Sequence, residues 1–281
     1  MFGYIDSFLS DPKGMLIIFL LALPGRLLAI SAHEFAHAYV ADRCGDHTAR
    51  YLGRLTLNPL KHLDPIGFIL MMLVGIGWAK PVPVNPRNYR NYRADDLKVS
   101  LAGIVMNLLL FIIGCVILYA LVAAALMKAG AAAQGSEYFI STLYGAKSIF
   151  IADGEHYSYL PLADMIKYAP YMSNWLIAPV FGQVAGYLTQ MLMYFILTNL
   201  VLAIFNIIPM PPLDGYHVLN DLVLHRSSLF ANPGVVRAFS AIMMVLFFTG
   251  ILSNVIGAVQ EFTFDRLGIL MQAVFGALGI I

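Results

Sequence analysis

Residues 15–40 read MLIIFLLALPGRLLAISAHEFAHAYV, a mostly apolar run near the start of the chain. About 20 helical residues cross the roughly 30 Å hydrocarbon layer of a membrane, so this run is long enough to span it. Pro24-Gly25-Arg26 interrupts the run, and either one kinked helix or a helix that starts at Pro24 fits the pattern. Of the 281 residues, 60% are hydrophobic and 12% are charged. A soluble domain of this length cannot bury so much apolar surface, which indicates a membrane protein.

Further apolar stretches set the predicted fold class. Residues 99–127, 184–208 and 235–259 are long enough to span, whereas residues 66–79 are too few and favour a re-entrant segment. Residues 267–281 are marginal in length, and either a span or a helix in the membrane interface fits them. The prediction is an all-α polytopic membrane protein, a helical bundle with a re-entrant, partly extended segment and room for a small β element near the cytoplasmic face.

The predicted organisation has three parts. Residues 1–127 form a first membrane half with the first helix, the re-entrant segment and the next span. Residues 128–183 are less apolar and form an extracytoplasmic or interfacial insertion, with a small buried helix over 138–151 as the alternative. Residues 184–281 form a second membrane half.

Basic residues orient these parts, because loops rich in Lys and Arg remain cytoplasmic. Nine of the 17 Lys and Arg residues lie between residues 43 and 98, on both sides of the short 66–79 stretch. With both flanks cytoplasmic, the end of the 184–208 span is cytoplasmic as well. The net charge of +1 offers no basic stripe for nucleic acid, so the predicted surroundings are the lipid bilayer.

His33-Glu34-Phe35-Ala36-His37 forms the pattern H-E-x-x-H near the end of the first stretch. Two histidines four residues apart share one face of a helix and can bind one Zn²⁺. Glu34 lies about 100° round the helix, in place to act as a base toward water. By composition, this pattern arises roughly 0.002 times by chance. Ionisable groups in apolar segments are costly, which favours a metal site over a plain polar cluster.

A catalytic zinc takes three protein ligands and leaves one position to water, so a third ligand is required. Asp214 is the best candidate, because residues 206–215 read NIIPMPPLDG and prolines end the helix at the same cytoplasmic level. Gly215 is expected to allow the backbone geometry that aims this carboxylate inward. Other polar residues at this depth are His217, His62, Asp64, His47 and Asp42, and backbone hydrogen bonding is favoured for His47, His62 and Asp64.

H-E-F-A-H paired with a distant N-x-x-P-x-P-P-L-D-G resembles the site-two protease family of intramembrane zinc metalloproteases, in its bacterial branch without PDZ or CBS domains. Shorter matches lie in residues 58–67, in residues 77–84, and at Ala102-Gly103 with Asn107. The resemblance implies one catalytic Zn²⁺ and the following roles: His33, His37 and Asp214 as zinc ligands, Glu34 as catalytic base, and Asn206 as the residue that holds the substrate backbone.

The same resemblance implies an activity and a location. The expected reaction is hydrolysis of peptide bonds in transmembrane segments, as in regulated intramembrane proteolysis, with a single-pass membrane protein or a membrane-embedded peptide as substrate. The expected location is the cytoplasmic membrane of a bacterium, with the active site toward the cytoplasmic side. Two departures from the family pattern, Ile104 after Ala-Gly and Tyr216-His217 after Asp-Gly, fall outside the ligand positions.

Residues 77–84, GWAKPVPV, are expected to be extended, because residues before proline avoid the helical region. Pro81 and Pro83 remove donors from one edge, while Val82 and Val84 keep their N–H groups on the other. We expect an unwound substrate to pair through Val82 and Val84 as an added strand. An ordinary proline-rich loop is the alternative.

Two other function classes fit parts of the sequence. A non-cleaving membrane zinc protein, a pseudoprotease or chaperone, would use the same ligands without hydrolysis. An ion transporter would need ionisable groups at several depths, whereas the strongest polar cluster here lies at one level. Hydrolysis is the prediction because Glu34 is present.

Overall fold

The computed structural model describes residues 10–74, 77–132, 148–153, 156–161, 177–222 and 233–278. Helices dominate these parts, and three of them are long and apolar enough to cross a membrane. The predicted all-α polytopic membrane fold is confirmed. Packing divides the chain into two units, of which the first combines residues up to Phe111 with Leu197–Ile256. The second combines Ile112–Ile196 with Gly257–Ile281.

The first helix, α1, runs over Pro12–Arg43. Asp11 caps it by accepting a hydrogen bond from Gly14 N at 2.9 Å. Pro12 takes the first helical turn, where its missing N–H leaves no hydrogen bond unmade. Pro24 lies inside the helix, so one helix covers the whole first apolar stretch.

The short helix α2 (Thr48–Tyr51) and a 3₁₀ turn (Pro59–Lys61) lead to α3 (Pro65–Val74). With 10 residues, α3 is too short to cross the hydrocarbon layer. Leu63 and Ala79, on either side of it, pair in an antiparallel β-bridge. Lys80 N next to this bridge donates to His62 O at 2.8 Å. The two ends of this segment therefore lie side by side, which is the arrangement of a re-entrant segment.

A second 3₁₀ turn (Pro86–Asn88) precedes α4 (Tyr92–Ala132). Two short strands follow, β1 (Ser148–Asp153) and β2 (His156–Pro161), paired antiparallel with Ser148 opposite Pro161. The alternative of a small helix over 138–151 is therefore wrong for residues 148–151. The rest of the predicted 128–183 insertion lies in part outside the described residues, namely at 133–147, 154–155 and 162–176.

The short helix α5 (Ala178–Phe181) leads into α6 (Gln183–Asn206), which packs against α4. Asn107 Nδ2 on α4 donates to Asn199 Oδ1 on α6 at 2.8 Å, and both side chains are fully buried. Farther along, a Cβ on Gly114 would lie 2.6 Å from Ile196 Cγ1. The absent side chain permits this close approach, as is common between membrane helices.

Residues 207–213 form a turn before α7 (Asp214–Leu222), followed by α8 (Pro233–Phe248) and α9 (Ile251–Ala277). Leu213, directly before Asp214, is buried against Met243 and Leu252. α8 and α9 are bent by 70° at a break where Gly250 has φ +77°, a conformation that glycine adopts without strain. The span predicted over residues 235–259 is thus made of two helices bent at this break, and they pass the length and hydropathy requirements of a span only as a pair.

Candidate metal centre

Two imidazoles of α1 meet near its C-terminal end. His33 and His37 are one helical turn apart, and their Nε2 atoms lie 3.0 Å from each other. The His33 side chain is buried, and the two rings are in edge-to-face contact. The spacing in the sequence is thus realised as a pair that presents two nitrogens to one point.

Asp214 completes this group from the first residue of α7. Its Oδ2 lies 3.2 Å from both His33 Nε2 and His37 Nε2. Its carboxylate, the form that aspartate takes near neutral pH and the form that binds metals, thus faces both imidazoles.

Gly215 helps to place this carboxylate, for a different reason from the one expected. It is the second residue of α7 and not a residue with unusual backbone angles. A Cβ at Gly215 would lie 2.3 Å from Ile207 O and 2.7 Å from Ile208 O. The missing side chain lets the turn after α6 pack directly against the start of α7, and this contact places Asp214.

The partners of the two Nδ1 atoms decide which nitrogens carry hydrogen. His37 Nδ1 lies 2.7 Å from Val99 O, an acceptor, so His37 Nδ1 donates. His33 Nδ1 lies 2.6 Å from Asn107 Oδ1. Asn107 Nδ2 donates to Ala29 O at 3.3 Å and to Asn199 Oδ1. These two hydrogen bonds fix the orientation of the amide, so its oxygen faces His33 and accepts from His33 Nδ1. In its neutral form each imidazole therefore carries its hydrogen on Nδ1 and presents an unprotonated Nε2 to Asp214.

Three electron-pair donors consequently converge on one point. Atoms of this kind 3.0 to 3.2 Å apart repel unless a proton or a metal ion lies between them. Asp214 Oδ2 is buried and makes no well-aligned hydrogen bond to any described residue. Three ligands about 2.0–2.1 Å from a tetrahedral zinc lie about 3.3 Å apart, close to the distances observed. His33, His37 and Asp214 therefore fit a metal ion, and no other such group occurs among the described residues.

Gly103 of α4 lies against both imidazoles. A Cβ there would be 2.4 Å from His37 Nε2 and 2.5 Å from His33 Cε1. Backbone of α4 thus forms one wall of the candidate metal centre. Ala102-Gly103 was part of the family resemblance, and the physical reason for a glycine at position 103 is this contact with the imidazoles.

Asn199 is a residue of the site that sequence reasoning missed. It orients Asn107, which in turn orients His33, through the hydrogen bonds given above. An asparagine in the middle of an apolar, membrane-length helix was the available signal, because polar groups there require a partner. Outer hydrogen bonds of this kind hold metal-binding histidines in place.

Glu34 is next to the metal centre and has a partner that the sequence did not predict. Its Oε2 accepts a hydrogen bond from Val82 N at 2.8 Å, and the Val82 side chain is buried against Ala38 and Ala49. The expected pairing of a substrate with Val82 N–H needs correction, because this donor is already bonded to Glu34. Val84 remains exposed, and none of the described residues accepts its N–H.

Asn206, predicted to hold the substrate backbone, is the last residue of α6. Its Nδ2 donates to Leu202 O at 3.0 Å within the same helix. The structure thus places it at the start of the turn that leads to Asp214, and its contact with substrate stays a prediction.

The other residues considered as a third ligand all have partners away from the metal centre. His62 Nε2 contacts Thr56 O, and Asp64 accepts from Ile66 N and Gly67 N. Asp42 binds His47 and Arg50, and His217 lies 3.7 Å from Asp96.

Comparisons with known proteins agree with this centre. The chain matches Peptidase family M50 over residues 18–250. It is 32% identical over 275 residues to "Putative zinc metalloprotease YwhC" of Bacillus subtilis, covering 98% of this chain and 100% of that relative. It is 35% identical over 107 residues to "Putative zinc metalloprotease Rip2" of Mycolicibacterium smegmatis, covering 36% of this chain and 41% of that relative. The protein of the same name in Mycobacterium tuberculosis H37Rv is 34% identical over 98 residues, which is 33% of this chain and 38% of the relative.

No solved structure matches the chain. The family match nevertheless extends over most of its length, and the similarity to the Bacillus subtilis relative covers almost all of it. The residues matched by the family, 18–250, include His33, Glu34, His37 and Asp214. The chain therefore belongs to peptidase family M50, the site-two protease family.

Proposed function

We propose that the protein is an intramembrane zinc endopeptidase that cuts transmembrane segments of other membrane proteins. The observation that carries this proposal is the convergence of His33 Nε2, His37 Nε2 and Asp214 Oδ2 within 3.2 Å of one another. This set of two imidazoles and one carboxylate, with an adjacent glutamate, is the donor set of hydrolytic zinc sites.

His33, His37 and Asp214 would hold the zinc ion. When bound, zinc supplies a Lewis acid that polarises a peptide carbonyl and lowers the pKa of water. Glu34 takes the proton of the attacking water and returns it to the leaving amine. None of the described residues hydrogen-bonds to Glu34 Oε1, so this oxygen is left for the proton while Oε2 is held by Val82.

The proposed substrate class follows from where the site lies on its helices. His33 and His37 belong to a helix long and apolar enough to span a membrane, so the scissile bond must come to a site within or at the edge of the bilayer. A helical segment hides its carbonyls in internal hydrogen bonds and must unwind before it is cut. The partner is therefore a single-pass membrane protein or a membrane-embedded peptide.

The orientation of the site is also a proposal. Lys and Arg concentrate in residues 43–98, directly after the helix end that carries His33 and His37. By the positive-inside rule this end faces the cytoplasm, in the cytoplasmic membrane of a bacterium. Cleavage would then occur near the cytoplasmic face.

Substrate contacts are proposed at Asn206 and Val84. Two N–H groups, those of Val82 and Val84, were expected to pair with substrate. Val82 N–H already donates to Glu34, so Val84 N–H is the one that remains for substrate. Val84 is 38% exposed, which leaves it accessible to an extended peptide. Asn206 is placed at the turn leading to Asp214 and can contact the same peptide with its side-chain oxygen.

The test uses the purified full-length protein in proteoliposomes with a panel of single-span model proteins, each with a glycine-rich stretch in its span and a fluorophore at each end. Wild type is expected to bind one zinc per chain and to release fragments cut within the span. Asp214→Ala should lose the zinc. Glu34→Gln should keep the zinc and lose about 10²–10⁴-fold in cleavage rate, the usual contribution of a general base.

His47→Ala is the matched control, because it removes a histidine outside the metal centre. It should keep both zinc and cleavage. Cleavage of Glu34→Gln at the wild-type rate would remove Glu34 from the mechanism. Bound zinc without fragments from any substrate would favour the non-cleaving zinc protein, and cuts only in loops would contradict the substrate class.

A further inference from the structure

Arg54 is a buried arginine outside the metal centre. It is only 8% exposed and follows Gly53, whose φ of +63° makes a turn after α2. Arg54 N donates to Ala49 O at 2.8 Å, so its backbone is tied to that helix. Burying a guanidinium is costly unless it is well hydrogen-bonded, and its Nε is buried with no partner among the described residues. Because burying this guanidinium costs desolvation free energy, we expect it to make a specific contact within the protein.

That contact is to the backbone of the segment beside Glu34. Arg54 Nη2 donates to Lys80 O at 2.8 Å and to Pro81 O at 3.2 Å. One guanidinium nitrogen thus holds two successive carbonyls. These carbonyls directly precede Val82, so Arg54 determines the direction of the peptide that carries Val82 N–H.

Val82 is the sole N–H donor between Pro81 and Pro83, because proline has none. Its N–H points at Glu34 Oε2, 2.8 Å away. Its side chain is 7% exposed and packs against Ala38 and Ala49. The two carbonyls before Val82, its N–H group and its side chain all contact the rest of the protein. The Val82 N–H is therefore held in one direction, and we call it a rigid donor.

Glu34 benefits from a rigid donor because glutamate has three rotatable side-chain bonds, and ordering such a side chain costs free energy. A hydrogen bond to Oε2 restricts these rotations and leaves Oε1 directed elsewhere. Reacting groups held near their productive geometry give faster reactions than mobile ones. The sequence spacing between Arg54, Val82 and Glu34 gives no hint of this chain of contacts.

We propose that Arg54 is a positioning residue for Glu34, acting through the carbonyls of Lys80 and Pro81 and the N–H of Val82. This inference rests on the proposed function, in which Glu34 is the base. Arg54 does not touch substrate or metal. Its task is to keep the Glu34 carboxylate in one orientation.

The first test is hydrogen exchange on the full-length protein in detergent, with electron-transfer fragmentation to assign the Val82 amide. Pro81 and Pro83 have no amide hydrogen, so the Val82 signal has no immediate neighbours. Arg54→Gln and Glu34→Ala should each speed Val82 exchange by about tenfold, the effect of losing one hydrogen bond. Arg87→Gln, an exposed arginine on the same segment, is the matched control and should leave it unchanged.

The second test is cleavage of the single-span model proteins used above. Arg54→Gln should bind one zinc per chain as wild type does, and should lower kcat by about 10- to 100-fold with KM within about twofold. Arg54→Lys keeps a cation that can reach a carbonyl and should recover part of kcat. If Arg54 only stabilised the fold, Arg54→Gln would instead lower the zinc content or speed amide hydrogen exchange throughout the protein.

Unchanged Val82 exchange in Arg54→Gln would overturn the inference, whatever happens to cleavage. Faster Val82 exchange with normal kcat would overturn it as well, and so would loss of zinc. If wild type cuts none of the model proteins, the proposed function fails, while the exchange comparison still decides whether Arg54 holds Val82 against Glu34.

Discussion

Gly103 and His37 are in such close contact that a methyl group on Gly103 would lie 2.4 Å from His37 Nε2. The same methyl group would lie 2.7 Å from His33 Nδ1. Both imidazoles therefore rest on the bare backbone of α4. This relationship links a helix that carries no predicted ligand to the geometry of the metal centre.

Gly103→Ala is expected to push the two imidazoles out of position and to lower zinc affinity by about ten- to a hundredfold, as other disturbances next to ligands do. Competition with a fluorescent zinc chelator measures the affinity. Gly257→Ala is the control, because a Cβ at Gly257 meets nothing within 4 Å. Equal zinc affinity in both variants would contradict the contact.

Asn107→Ala is expected to lower zinc affinity by a similar factor of about ten to a hundred, because His33 loses the acceptor that orients its ring. Asn199→Ala should have a smaller effect, since it acts through Asn107. The losses of zinc affinity in the two single variants should not add in the double variant, because Asn199 affects His33 only through its hydrogen bond to Asn107. Thr189→Val removes a buried side-chain hydrogen bond elsewhere on α6 and should leave zinc affinity unchanged.

Arg93→Gln is expected to destabilise α7, the helix that begins with Asp214, by removing a contact at its C-terminal end. Arg93 Nε and Nη2 donate to Asp221 O at 3.0 and 2.7 Å, so a cation faces the C-terminal end of that helix. Such contacts contribute about 0.3–2 kcal/mol. Thermal unfolding in detergent, with and without zinc, should show lower stability for Arg93→Gln than for Arg87→Gln. Equal stability of the two variants would rule out this contribution.

Asp46 is expected to make stability depend on pH. Burial acts to raise its pKa, but hydrogen bonds from Thr48, Asn85 and Asn88 outweigh burial and lower the pKa. A carboxyl whose folded pKa is depressed stabilises the fold above its unfolded pKa, about 3.9, and this stabilisation is lost as pH falls through the folded pKa.

Asp46→Asn should therefore lower the free energy of unfolding by about 1–3 kcal/mol near neutral pH. The difference from wild type should shrink as the pH falls below about 4. Unfolding followed at a series of pH values measures both effects. Asp265→Asn, at an exposed position on α9, should show neither. A constant difference between Asp46→Asn and wild type at all pH values would refute the assignment.

Part of the candidate site could be predicted because its signals are local. The H-E-x-x-H spacing places His33 and His37 together on any helix, and helix formation there follows from composition. Asp214 could be predicted because the prolines before it end a helix at a membrane boundary. The break between α8 and α9 was missed, because the glycines of an apolar run, here Gly250 and Gly257, do not by themselves reveal a bend.

The sequence by itself determined the class of the protein, the three helices long enough to span on their own, and the shared helical face of His33 and His37, because length, hydropathy and helical periodicity are properties of neighbouring residues. Only the tertiary structure decided that Val82 N–H binds Glu34, that Arg54 holds the peptide before it, and that Gly103 and Asn199 support the imidazoles. These contacts join positions far apart in the chain, and they depend on how the helices pack.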